Sequence, residues 1–182
     1  MASCSSGPNP GPSAGSVPGS ATSVSPGTAG TLVPAPAGYR AVTVTVRRAD
    51  GTMVQRCLLV ADTAELREQG LMAVTDPTLG GYDGMVFVFG GEFTGGFWMK
   101  DTLIPLSIAF ADQSGAVVST ADMVPCPAGT MSCPVTQAAA PYGYAVEVAR
   151  GRLAEVGLTD GASLDPRLGP ACEATPATSE PS

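Results

Sequence analysis

Phe97-Trp98-Met99-Lys100-Asp101-Thr102-Leu103-Ile104-Pro105-Leu106-Ser107-Ile108-Ala109-Phe110 is the stretch from which the fold reads outward. It follows a glycine pair, Gly95-Gly96, and ends in a run of β-formers. Proline cannot donate to a strand ladder, so Pro105 marks a strand start, an edge or a bulge, and Leu106 to Phe110 reads as the strand. The stretch also holds the chain's single Trp, Trp98, and single Lys, Lys100; all other basic residues are Arg. Lysine is a compact ammonium whose pKa falls readily on burial, and arginine is not. A lone Lys packed among Trp98, Met99 and Asp101 is therefore the first candidate for chemistry.

Downstream, Asp112-Gln113-Ser114-Gly115 turns the chain and Ala116 to Val124 returns as the second arm of a hairpin. Upstream, Gly84-Met85-Val86-Phe87-Val88-Phe89 is a continuous apolar run bounded by glycines, consistent with a central strand buried on both faces. Gly90-Gly91 and Gly95-Gly96 bracket a turn with Glu92 and Phe93, and this turn is expected to form a mobile flap over Trp98. Further upstream, Val42, Val44 and Val46 alternate with Thr43 and Thr45, Asp50-Gly51 turns, and Met53 to Val60 returns, which predicts an antiparallel pair. Asp62 as N-cap, Glu65 three residues on and a Gly70 stop predict a helix of about two turns. Pro125 to Pro141 reads as a loop. Tyr144 to Val148 reads as a strand that places Glu147 between apolar neighbours, Arg152 to Val156 as a helical turn, and Gly161 to Leu164 as a last strand. The fold class expected is mainly β (α+β), a compact antiparallel barrel- or sandwich-like domain with one or two short helices.

Residues 1–37, rich in Ser, Gly and Pro, cannot bury enough surface to offset chain entropy and read as a flexible tether. Residues 38–168 form the domain, and 169–182 read as a disordered tail. Within the whole chain 44% of residues are hydrophobic and 14% charged, which suits a packed interior. The net charge of -7, without a Lys/Arg run, offers nucleic acid and anionic membrane no basic footprint. There is no His, so the usual base near neutral pH and the commonest metal ligand are missing. No apolar run approaches the roughly 20 residues that span a bilayer.

Five cysteines set the compartment: Cys4, Cys57, Cys126, Cys133 and Cys172. Ala2-Ser3-Cys4 resembles the end of a bacterial lipoprotein signal, which makes Cys4 a lipidation candidate and the protein an extracytoplasmic, membrane-anchored one. The alternatives are a secreted soluble protein, or a cytosolic one with an incidental Cys. If Cys4 carries lipid, an even set of four remains, which suits an oxidising compartment. Cys126 and Cys133 share one Pro-constrained loop and are expected to pair. Cys57 and Cys172 are a second candidate pair, with Cys57 as a buried free thiol the alternative. Neither pair has the close spacing of a zinc site, so no metal and no cofactor are expected.

The ordered motifs Arg67-x-x-Gly70-Leu71-Met72, Gly84-Met85-x-Phe87-x-Phe89, Phe97-Trp98-Met99-Lys100-x-Thr102-Leu103-Ile104-Pro105-Leu106, Pro125-Cys126 with Cys133-Pro134, and Tyr144-x-x-Glu147 resemble the DUF192 (UPF0127) family from about Val42 to Leu164. The resemblance implies a compact β-rich domain, in bacteria often exported, without an established activity. The chain departs from the family pattern at Ser107, where the family usually has Asp, and at Asp160-Gly161, where it usually has Gly-Asp.

Lys100, Asp101, Thr102, Glu147 and Arg67 are the polar residues inside otherwise apolar motifs. The first reading is a module that binds a small ligand, anionic or sugar-like, or an envelope partner at Trp98, Lys100, Asp101, Thr102 and Arg67. The second is an enzyme in which a desolvated Lys100 acts with Glu147 or Asp83 as carboxylate partner. The third is a structural envelope protein in which Lys100 lies along Trp98 and pairs with Glu147. Nucleic acid is not an expected partner, and membrane is expected only through the lipid on Cys4.

Overall fold

The computed structural model describes residues 35–126, 129–130 and 132–174. Cys4, and with it nearly all of the predicted tether, lies outside the described residues.

The first hairpin forms as its alternation dictates: β1 (Arg40–Arg47) pairs antiparallel with β2 (Met53–Ala61). A helix, α1 (Ala64–Gln69), follows. Its N-cap is Thr63, one residue beyond the expected Asp62; the Thr63 hydroxyl accepts the Leu66 N–H, while the Asp62 carboxylate is taken by Arg40 at 2.8 Å. Gly70 ends the helix at φ 48, a conformation that side chains other than glycine rarely adopt. Because α1 carries the chain back across the sheet, β3 (Gly84–Phe93) pairs with β2 in parallel. This corrects the expectation of a wholly antiparallel sheet. β3 also runs past Gly90-Gly91 as far as Phe93, with a register shift after Val88, so part of the expected flap is strand.

A short strand, β4 (Phe97–Trp98), pairs with β7 (Val135–Thr136) inside the segment expected to be all loop. β5 (Leu106–Ala111) and β6 (Val117–Met123) make the second hairpin, and β8 (Tyr142–Ala149) inserts between β5 and β3. The helical turn α2 (Leu153–Val156) leads to β9 (Ser163–Leu164) on β1. The main sheet has the order β6-β5-β8-β3-β2-β1-β9. It curls far enough for its two edges to meet: Leu164 N–H donates to the Gly115 carbonyl and Val117 N–H to that of Ala162. The fold is thus mostly β, a curled half-barrel with two short helices, as expected.

Period-two alternation sorts the side chains into two apolar layers. Val42, Val44, Val46, Leu58, Val60, Val86, Val146 and Val148 form one, closed by Val156 of α2 and Leu158 just beyond it. Leu59, Met85, Phe87, Ile108, Phe110 and Tyr142 form the other, covered by Leu71, Leu79, Tyr82, Met99 and Ile104 from the connecting segments. Both cysteine pairs are disulfides, Cys57–Cys172 and Cys126–Cys133, with Cα separations of 5.8 and 5.7 Å. The first corrects the start of the expected tail: residues 169–174 run beside β1, Thr43 N–H bonding to the Pro170 carbonyl and Cys172 N–H to that of Ala41. Ala174 is buried.

Candidate functional site

Glu147 lies in the middle of β8, opposite Met85 of β3 and Ile108 of β5. Since Val146 and Val148 face the valine layer, the alternation turns Glu147 into the aromatic one. It is 4% exposed, and no described residue donates a hydrogen bond to its carboxyl or forms an ion pair with it. Burial pushes its pKa up to about 8, because the charged form has lost its water and gained no partner. Gly84 lets β3 approach this strand: a Cβ there would collide with the Glu147 carbonyl. The hydroxyl of Tyr39, whose pKa is raised by burial and then by the Glu147 charge, donates to the Gly70 carbonyl at 2.9 Å.

Above Glu147 opens a cleft of about 480 Å³. One wall is the end of α1 with residues 69–72, and the other is built by Phe89, Phe93, Phe97 and Trp98, with Phe87 and Thr102 deeper. The rings brace one another. Phe89 stacks on Phe93 at 4.5 Å, Phe87 meets Phe97 edge-on at 4.9 Å, and Tyr142 sits edge-on to Phe89 at 5.3 Å. The Tyr142 hydroxyl, its pKa pushed up to about 12 by burial, donates to the Gly95 carbonyl at 2.6 Å and so fixes the glycine turn.

Arg67 stands at the lip. Its Nη1 donates to the carbonyls of Asp62 and Val88, at 2.8 and 2.9 Å, and its guanidinium carbon lies 5.2 Å from the Phe89 ring centre. It thereby pins α1 to β3 along the rim. Thr102 is buried; its hydroxyl donates to the Lys100 carbonyl at 3.4 Å. Asp101 is exposed in the left-handed region, φ 53, which Asp tolerates better than most side chains, and its carbonyl accepts the Ala73 N–H.

Lys100 is placed differently from the sequence expectation. Phe97 and Met99 turn inward, so the same alternation sends Trp98, 49% exposed, and Lys100 outward. The Lys100 ammonium sits 5.6 Å from the Trp98 ring centre, in solvent, and makes no ion pair with Glu147 or Asp83. Asp83 is elsewhere: it accepts the Cys57 N–H at 2.8 Å and lines a separate hollow with Arg56 and Arg152. Ser107 projects to the face opposite the cleft, where it donates to Asp122 at 2.5 Å and accepts the Gly151 N–H. That bond is the main reason the Asp122 carboxyl is held below its ordinary pKa.

Of the sequence candidates, then, Arg67, Trp98, Thr102 and Glu147 line one cleft, whereas Lys100 and Asp101 lie outside its lining. The sequence reading passed over Phe87 and Phe89 as lining residues. Their period-two spacing, which puts both on one face of β3, was the available signal.

Fold and cleft together define a class: a small, mostly β domain with an aromatic-walled hollow above one buried carboxyl. The chain belongs to the DUF192 family, described as uncharacterized ACR, whose model matches residues 45–166. Two solved structures are similar. One, from Novosphingobium aromaticivorans DSM 12444 and of unknown function, is 28% identical with a TM-score of 0.60, covering 75% of this chain and 94% of its own. The other, a candidate transcription regulator from Sinorhizobium meliloti 1021, is 26% identical with a TM-score of 0.61, covering 70% and 94%. No curated protein sequence matches the chain.

Proposed function

We propose that this domain binds a small ligand in the aromatic cleft, and that it does so outside the cytoplasm, anchored by lipid on Cys4. The observation that carries the binding reading is Glu147: a carboxyl without a partner among the described residues, at the floor of a cleft large enough for a small molecule. Such a group costs stability unless something else uses it. Two disulfides favour an oxidising compartment. Among the described residues no helix is long and apolar enough to cross a membrane.

The enzyme reading built on Lys100 draws no support from geometry, since its ammonium lies on the outer side of Trp98. Regulation of transcription stays with the Sinorhizobium protein; a net charge of -7 offers a duplex nothing to hold.

A fragment screen by amide NMR tests the binding reading. Hits are expected to shift the resonances of residues 87–93 and 97–102 together, and Phe93→Ala is expected to weaken them. Hits scattered over the surface, indifferent to Phe93→Ala, would count against it. For the anchor, palmitate labelling of the full gene product should vanish on Cys4→Ala; label that persists would rule Cys4 out.

A further inference from the structure

We infer that the ligand is a small organic amine that enters ammonium first, its charge meeting Glu147 and its apolar body lying between α1 and the Phe89–Phe93 pair. The inference rests on the binding reading above and adds the ligand's chemical class.

The charges that face the cleft are mostly negative. Glu68 of α1, Glu92 of β3 and Glu147 of β8 line it, against one cation, Arg67. Arg67 is already engaged by two carbonyls and by the Phe89 ring. An anionic ligand would therefore meet carboxylates with no free cation to hold it. A sugar needs several converging polar groups to replace the water on its hydroxyls. The buried part of the cleft supplies two polar side chains, Glu147 and Thr102.

An amine with an apolar body asks for what is present. Its hydrocarbon part replaces water against the rings, and its ammonium supplies the donors that Glu147 lacks. Aromatic faces also attract cations. The chain already shows this twice, with Arg67 over Phe89 and Lys100 over Trp98.

Protonation follows from the same geometry. Tyr39, from the approach to β1, keeps its proton on the Gly70 carbonyl and so leaves Glu147 to titrate. In the empty cleft burial keeps the carboxyl protonated at neutral pH. When the ammonium arrives, Glu147 releases its proton to the buffer, and a carboxylate–ammonium pair remains. Affinity should then rise by about tenfold per pH unit between pH 6 and 7 and level off near pH 9, below the titration of an ordinary amine at about 10.

Three probes share one body and differ in the head: 2-phenylethylamine, 2-phenylethanol and phenylacetate. Titration calorimetry on the full chain should show the amine binding at least about tenfold tighter than the alcohol, with phenylacetate weakest. At pH 7 amine binding should release close to one proton, read from the dependence of the heat on the buffer, and at pH 9 close to none. Glu147→Gln should abolish the preference for the amine while the alcohol still binds. The three-probe comparison on the parent protein stands even if that variant fails to fold. If the alcohol or phenylacetate binds as well as the amine, the amine inference falls and the binding reading survives. If none of the three gives heat or shifts the Trp98 fluorescence, both fall.

Discussion

At the scale of one residue, Glu147 sets the pH dependence. Its carboxyl titrates near the ordinary value of 4.5 when the chain is unfolded and near 8 in the fold. Below about pH 4.5 both states hold the proton, and its ionisation adds no cost. As the pH rises from there the unfolded chain ionises first, so stability is lost up to about pH 8 and is level beyond it. The span corresponds to roughly 4 to 5 kcal/mol as an order of magnitude. Glu147→Gln keeps the shape and removes the titration. Its unfolding free energy should match the parent's within about 1 kcal/mol at pH 4 and exceed it by several kcal/mol at pH 8.5. Denaturant unfolding at the two pH values checks this, and equal stability at both would mean that the carboxyl has found a partner or water.

At the scale of elements, the disulfides do unequal work. Cys57–Cys172 closes a separation of 115 residues and ties residues 169–174 to the first hairpin. Cys126–Cys133 closes 7. In the chain-entropy model, losing the first pair costs about 4 to 5 kcal/mol and losing the second about 2. Replacing each pair by Ala and comparing urea midpoints should show that order; a larger loss from the short loop would reverse it. The same elements show what was legible in the sequence. The first hairpin followed from alternation, the second from its Asp112–Gly115 turn, the buried run at Gly84–Phe89 from its unbroken apolar character and the strand of Glu147 from its apolar neighbours, because each is a local pattern. The parallel register of β2 with β3 was hidden, since it depends on where α1 lands. The pairing of β4 with β7 was hidden because two-residue strands carry no period. Lys100 was misread for a different reason: its rarity drew attention, while the alternation Phe97-in, Trp98-out, Met99-in already pointed it to solvent. The cleft is assembled by the aromatic residues of β3 and β4 on one side and the end of α1 on the other, and no single stretch of sequence holds it.

At the scale of the molecule, a curled sheet with an apolar layer on each face can hold one strand rigid along its whole length. β8 is that strand, flanked by β3 and β5. An ionisable residue on it, Glu147, is therefore held in place by paired backbone on both sides, and the loops that cover the aromatic layer leave the cleft open above it. The fold thus fixes the polar group while the rim, formed by α1 and the glycine turn, is left to shape access. Glu147 sits buried beneath that cleft, without a hydrogen-bond or ion-pair partner among the described residues. The most direct test is a carbon-13 titration of the Glu147 side-chain carboxyl in the intact protein. A midpoint near 8 is expected. A midpoint in the ordinary carboxylate range, near 4.5, would contradict it and leave the cleft without its distinguishing group.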